Sequence, residues 1–384
     1  MKSPEVLVEV NRGPFLESVH FGHAVICDDS GQIVKSWGDD GTLSLPRSSA
    51  KMIQALPLIT SGAADAFGLT ERHLALSCAS HQGAAIHTDL VSEWLKNLGL
   101  KDADLRCGPQ DPEDTTARNE MIKLDHLPCQ WHNNCSGKHS GFLTLTKHLK
   151  AGPEYIAPDH PVQKAVLEAF EMTTGSASPG FGIDGCSAPN FAARLKDIAK
   201  AMAWFASAED RSDPASRAAV RLVNAMRRYP LLVAGEGRAC TELMDAMGGR
   251  VAIKTGAEGF FVAIIPERKL GVALKITDGA SRASACALAT LLAEIGVLDK
   301  SHPIAQKYLN QPVINRRGIE TGRIHAAYAL HLCLCCSTNL LMCCRSLPIM
   351  ERVKQRGKLC LPILIFQMFI PQDGWTGTAK VYWS

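Results

Sequence analysis

Apolar and polar residues along the first forty positions follow the two-residue period of β-strands at Val6 to Val10, His20 to Cys27 and Ile33 to Trp37. A turn at Asp29 to Gln32 joins the last two. From Ser49 to Leu98 the period becomes helical, with Ser49 to Ile59 apolar enough to predict a buried helix. A second, amphipathic helix opens at Gly83-Ala84-Ala85 and runs to Leu98. Gly108 to Ala117, polar and interrupted by prolines, reads as a loop, and helices are predicted after Gly137, Pro161, Pro189 and Pro214. Gly235 to Arg238 reads as a loop between helical segments. Val251 to Thr277 predicts three strands, the first two joined through Gly256 to Gly259, and the alanine- and leucine-rich run Ser281 to Ile295 predicts a closing helix. Strands at both ends with helices between them predict a mixed α+β fold, with a sheet assembled from distant parts of the chain.

Composition narrows this to an enzyme-sized globular body. The 384 residues suffice for one large domain, expected over 1–325, with two subdomains as an alternative. A 46% hydrophobic and 21% charged composition fits a soluble chain. The net charge of +3, without a basic block, offers no footprint for nucleic acid. Met1 to Glu5 passes directly into a strand pattern without the apolar core of a secretion signal, so the expected location is cytoplasmic. Of 14 cysteines, eight are scattered over the first 286 residues and six crowd beyond residue 332, which argues for free thiols in a reducing compartment rather than a disulfide framework. The segment 326–384 is atypical: cysteine-rich from Leu330 to Cys344, basic from Arg352 to Lys358, and apolar over Leu361 to Ile370, too short to span a bilayer. An altered reading frame or a retained intervening sequence is the expected origin of this tail.

Two short signatures about 200 residues apart carry the chemistry. Ser48-Ser49-Ala50-Lys51 places a serine and a lysine on one face at the start of a helix, where a partly desolvated lysine can take the serine proton. Ser48 as a simple helix cap is the alternative. Lys254-Thr255-Gly256 sits on a predicted strand, the arrangement in which serine β-lactamases and penicillin-binding proteins set a Lys-Thr-Gly beside the nucleophile. No Gly-x-Ser-x-Gly elbow of a serine-histidine hydrolase is present. Cys135 and Cys186 lie far apart in sequence and outside any Cys-x-x-Cys hairpin, so spacing alone leaves them as small buried hydrophobes or as ligands.

Three further blocks carry a family resemblance: Asn134-Cys135-Ser136-Gly137-Lys138-His139-Ser140-Gly141, Gly182-Ile183-Asp184-Gly185-Cys186-Ser187-Ala188-Pro189, and Ser80-His81-Gln82-Gly83 with His87. Over about residues 5 to 325 the chain resembles the bacterial and fungal asparaginases typified by the inducible, thermolabile enzyme of rhizobia, distinct from the threonine-dependent asparaginases. The resemblance implies a fold like that of serine β-lactamases, penicillin-binding proteins and glutaminases, an antiparallel sheet with helices packed around it, and hydrolysis of L-asparagine to aspartate and ammonia. It implies two serine-lysine pairs, Ser48 with Lys51 and Ser80 with Lys254, leaving open which serine is acylated, with Ser48 favoured for its lysine one turn away. It also implies a zinc site of Cys135, Lys138 and Cys186, close to Asp184. His81 and His139 are expected to contact substrate or to serve a structural network. Arg238 is expected either to clamp a substrate carboxylate or to form a surface salt bridge. No membrane and no nucleic acid is expected as a partner, and a homodimer is the expected assembly. The alternatives are a catalytically silent amino-acid-binding relative and a serine-lysine peptidase or β-lactam hydrolase.

Overall fold

The computed structural model describes residues 2–331. The strands, in chain order, are β1 (Glu5–Arg12), β2 (Phe15–Cys27), β3 (Ile33–Trp37), β4 (Leu43–Ser44), β5 (Phe181–Ile183), β6 (Pro189–Phe191), β7 (Ala193–Arg194), β8 (Ala252–Thr255), β9 (Phe260–Ile265), β10 (Leu270–Ile276), β11 (Asn310–Ile314) and β12 (Glu320–Ala326). Eight form one antiparallel sheet in the order β11-β12-β1-β2-β10-β9-β8, with β3 on β2. β4 pairs with β7 and β5 with β6 in two small ribbons. This is the antiparallel sheet with packed helices that the family resemblance implies, built from distant parts of the chain as the residue pattern predicts.

The thirteen-residue β2 changes partners along its length. Phe15 to Gly22 pairs with β1, while Gly22 to Cys27 pairs with β10, and β3 joins the same half at Ala24 to Cys27. All six residues of β9 are buried, so protein covers both faces of the sheet there. Helix Leu195–Ala206 lies so close to β10 that a Cβ at Gly271 would collide with the backbone at Ala203 and Ala199, and glycine is the residue that permits the approach. Helix Ser281–Ile295 packs on β1, β9, β10 and β12. Helix Lys51–Thr60 packs on both Pro161–Thr174 and Pro214–Arg228 in a helical body.

The expected helix after Pro189 begins only at Leu195. Pro189 instead opens β6 opposite Ile183, and Asp184 to Ser187 form the connecting turn, with Ser187 left-handed at φ 69°. Proline suits the first position of a short strand because no ladder bond is lost. A helix at Thr115–Lys123 and the strands β11 and β12 add to the expected elements. The tail segments noted between Cys333 and Ile370 lie outside the described residues. Among the described residues no helix is long and apolar enough to cross a membrane.

Candidate functional site

The chain enters the site through a strained turn. Pro46 leads into Arg47, whose φ of 53° is left-handed, and a 3-10 turn then carries Ser48 and Ser49 into the helix that begins at Lys51. β8 delivers Lys254 from the other side. Gly256, just past that strand, fits against the turn only because it lacks a side chain: a Cβ there would lie 2.5 Å from Pro46 O and 2.8 Å from Ser49 Oγ. Ser49 Oγ closes the seam by donating to Lys254 O at 3.0 Å.

Both lysines converge on Ser80. Lys51 Nζ stands 3.1 Å from Ser80 Oγ and also donates to Ala79 O and, at 3.5 Å, to Asn134 O. Lys254 Nζ stands 2.8 Å from the same Ser80 Oγ and donates to Thr255 O at 2.8 Å. Lys51, Ser80 and Lys254 are all buried. Burial, reinforced by the positive charges of Lys51 and Arg238 against an opposing contribution from Cys240, pushes the Lys254 ammonium down to about 7. Ser48 is half-buried, and among the described residues its Oγ makes no hydrogen bond.

A second cluster lies beside the first. Lys138 Nζ donates to Cys186 Sγ at 3.0 Å, and Cys135 Sγ donates to Asn134 Oδ1 at 2.9 Å; all three cluster side chains are buried. Contact with Cys135, together with the Lys138 charge, holds the Cys186 thiol well below its ordinary range, while the same contact and burial push Cys135 up to about 12. Cys186 is therefore the more acidic of the two thiols. Burial works against the Lys138 ammonium, but Cys186 and Cys135 outweigh it and push its pKa up. Two sulfurs and an amine so placed make a donor set that fits a soft divalent cation once Lys138 gives up its proton. Among the described residues no group of three or more His, Cys, Asp and Glu side chains is placed to hold a metal.

The remaining candidates separate by geometry. Asp184 clamps Arg47 at 2.8–2.9 Å, next to Ser48. Burial works against its ionisation, but Lys138 and Arg47 overcome it and hold the carboxyl low. His139 is fully buried and hydrogen-bonded through Nδ1 to the Tyr155 hydroxyl at 2.9 Å, a packing role inside helix Ser136–His148. His81 is buried and bonded to Ser136 Oγ at 2.8 Å. Arg238 forms a salt bridge with Glu113 and lines a cavity of about 550 Å³ together with Cys240, Thr255 and Tyr308. Three contributors carried no local signal of their own in the sequence reading: Arg47, Asn134 as acceptor for Lys51, and Cys240, whose Sγ accepts Thr255 N–H at 3.3 Å.

Residues 8–326 match the family model described as L-asparaginase II. The chain belongs to that family. Its members are asparaginase-type hydrolases, and the serine-lysine residues all fall within the matched region. Comparison with curated protein sequences gives no match. Among solved structures, Mglu in its tris and glutamate form has 13% identity and a TM-score of 0.43, over 73% of this chain and 60% of that one. A second Mglu structure has 14% identity and a TM-score of 0.41, over 73% of this chain and 68% of that one. A β-lactamase from Mycobacterium bovis has 13% identity and a TM-score of 0.40, over 69% of this chain and 89% of that one. The chain thus spans about three fifths of the length of the first of these relatives.

Proposed function

We propose that this member of the L-asparaginase II family hydrolyses the side-chain amide of L-asparagine to L-aspartate and ammonia through a serine acyl-enzyme. The observation that carries the reading is Ser80 Oγ held between Lys51 Nζ at 3.1 Å and Lys254 Nζ at 2.8 Å, both lysines buried. Two ammonium groups around one hydroxyl repel, so the pair favours a single proton, and a neutral amine can accept the serine proton. Ser48, half-buried and without a side-chain partner, is the hydroxyl open to substrate. In this reading Ser48 attacks the amide carbonyl, Lys51 takes its proton, and Ser80 passes that proton towards Lys254. Collapse of the tetrahedral adduct breaks the C–N bond, and the nitrogen leaves as ammonia after receiving a proton from the same network. Water then attacks the ester, its proton returns through the lysines, and aspartate leaves.

Cys135, Lys138 and Cys186 would hold zinc in this reading. A bound ion would supply Lewis-acidic chemistry at the amino-acid end of the substrate. The chain's own residues complete the site: Asp184 fixes Arg47, and Arg47 fixes the approach to Ser48. L-Asparagine is the proposed partner, and a homodimer the proposed assembly.

The test is ammonia release from L-asparagine by the purified folded chain, with L-glutamine and a β-lactam alongside, and intact mass of the quenched enzyme. Release from asparagine, lost in both Ser48→Ala and Ser80→Ala, supports the reading. An acyl adduct that persists in Ser48→Ala and vanishes in Ser80→Ala reassigns the nucleophile. Asparagine binding without ammonia marks a silent relative, and turnover of the β-lactam alone marks a different hydrolase.

A further inference from the structure

The loop that carries Ser80 and the helix that carries Lys138 are joined by one side chain, His81. Its Nδ1 accepts the Gly83 N–H at 3.1 Å, so that nitrogen bears no proton in the neutral ring. The proton therefore sits on Nε2 and is donated to Ser136 Oγ at 2.8 Å. Ser136 in turn donates its hydroxyl hydrogen to Trp131 O at 2.9 Å. Each bond in this chain fixes the direction of the next. Burial holds the imidazolium form of His81 well below its ordinary range, in agreement with a ring that stays neutral.

The ring is also kept from turning. His87 stacks on it in parallel, with centroids 4.8 Å apart, and is itself held by its Nε2 bond to Leu231 O at 2.9 Å. The backbone repeats the connection, because His81 N–H donates to Asn134 O at 3.2 Å, the same carbonyl that Lys51 reaches. Ser136 is the first residue of its helix, next to Cys135 and two before Lys138.

We propose that His81 is a positioning residue that locks the Ser80 loop to the head of the Ser136–His148 helix, so that the thiol–amine cluster and the serine-lysine cluster move as one unit. It acts through Ser136 and touches neither substrate nor reacting atoms. The inference rests on the serine-lysine reading for its kinetic consequence, but not for its geometry.

The test combines kinetics with nitrogen NMR on the full chain. His81→Leu removes the bond and is expected to lower kcat for asparagine by about 10- to 100-fold with KM changed less than about threefold, the scale typical of lost outer-shell support. His81→Gln, whose amide can donate in place of Nε2–H, is expected to recover most of that loss. Ser136→Ala should reproduce the His81→Leu effect, and the double variant should lose no more than either single one. Should His81→Leu fail to fold, Ser136→Ala and the NMR measurement carry the test. In the wild-type protein, ¹⁵N-resolved spectra should show His81 as the Nε2–H tautomer, unprotonated from pH 5 to 9. An Nδ1–H tautomer, protonation within that range, equal losses in the Leu and Gln variants, or additive losses in the double variant would each overturn the proposal. If the wild-type chain releases no ammonia, the function fails while the NMR signature still decides the geometry.

Discussion

Replacing Lys254 with methionine should abolish activity and yet stabilise the protein at acidic pH. Lys254 is fully buried, and its ammonium is pushed from an ordinary 10.5 to about 7. Between those two values the unfolded chain binds a proton that the folded chain does not, so stability rises with pH across that window. Below pH 7 the group is charged in both states, and the folded protein carries the full penalty of a buried ammonium beside Lys51. The gap from 10.5 to about 7 corresponds to about 5 kcal/mol. Methionine removes this penalty but leaves Thr255 O without the Lys254 donor and Ser80 Oγ with Lys51 alone, a loss of about 1–3 kcal/mol. The variant should therefore be about 2–4 kcal/mol more stable than wild type at pH 6, with the advantage gone or reversed at pH 10. Urea denaturation at pH 6, 8 and 10 measures the difference directly. Activity should follow the neutral amine, so that wild-type kcat/KM falls about fivefold between pH 7 and pH 6, while Lys254→Met is inactive throughout. A stability difference that stays flat with pH would refute the argument, because it would mean that Lys254 is not desolvated.

Three further outcomes follow from the same geometry. Cys186→Ala leaves the Lys138 ammonium buried without its sulfur partner and should cost about 3–5 kcal/mol in urea unfolding, most of it recovered when Lys138→Met is added. Gly256→Ala should lower kcat by about tenfold or more, because the new methyl group meets Pro46 O and Ser49 Oγ and parts β8 from the serine turn; a crystal structure of the variant should show that separation. Zinc titration of the purified chain, read by elemental analysis and by proton release, should give one ion per chain, and Cys135→Ser should abolish it; binding that survives in Cys135→Ser places the ion elsewhere.

Much of the fold was legible because burial imposes a period on the sequence. Ile33–Trp37 and Ser281–Ile295 have the bounds that their patterns predict, and the three strands from Val251 to Thr277 lie in order. Pro189 misled because proline opens helices and strands alike, and only the pairing with Ile183 decides between them. β11 and β12 were missed because their mixed, largely half-buried residues form a hairpin at the sheet edge without a clear alternation of apolar and polar positions. At the site, Ser80, Lys51 and Lys254 are brought together by contacts between residues far apart in the chain, and no local pattern says that Lys51 reaches Ser80. The charge state of Cys186 depends likewise on Cys135, on Lys138 and on Ala188 N–H, a partnership that exists only after folding.

The partner change within β2 sets a schedule for biosynthesis. Its first half finds β1 and its second half finds β3 while the ribosome has delivered fewer than forty residues, but the edge that β10 covers must wait until residue 276 has emerged. β8 reaches the serine turn through that same late-arriving block of three strands. Until then the growing chain exposes an apolar, unpaired strand edge, the kind of surface that holdase chaperones shield. Lys254 therefore joins Ser80 only as the sheet closes, and a nascent or truncated chain ending before β10 has no means of catalysis to release into the cell.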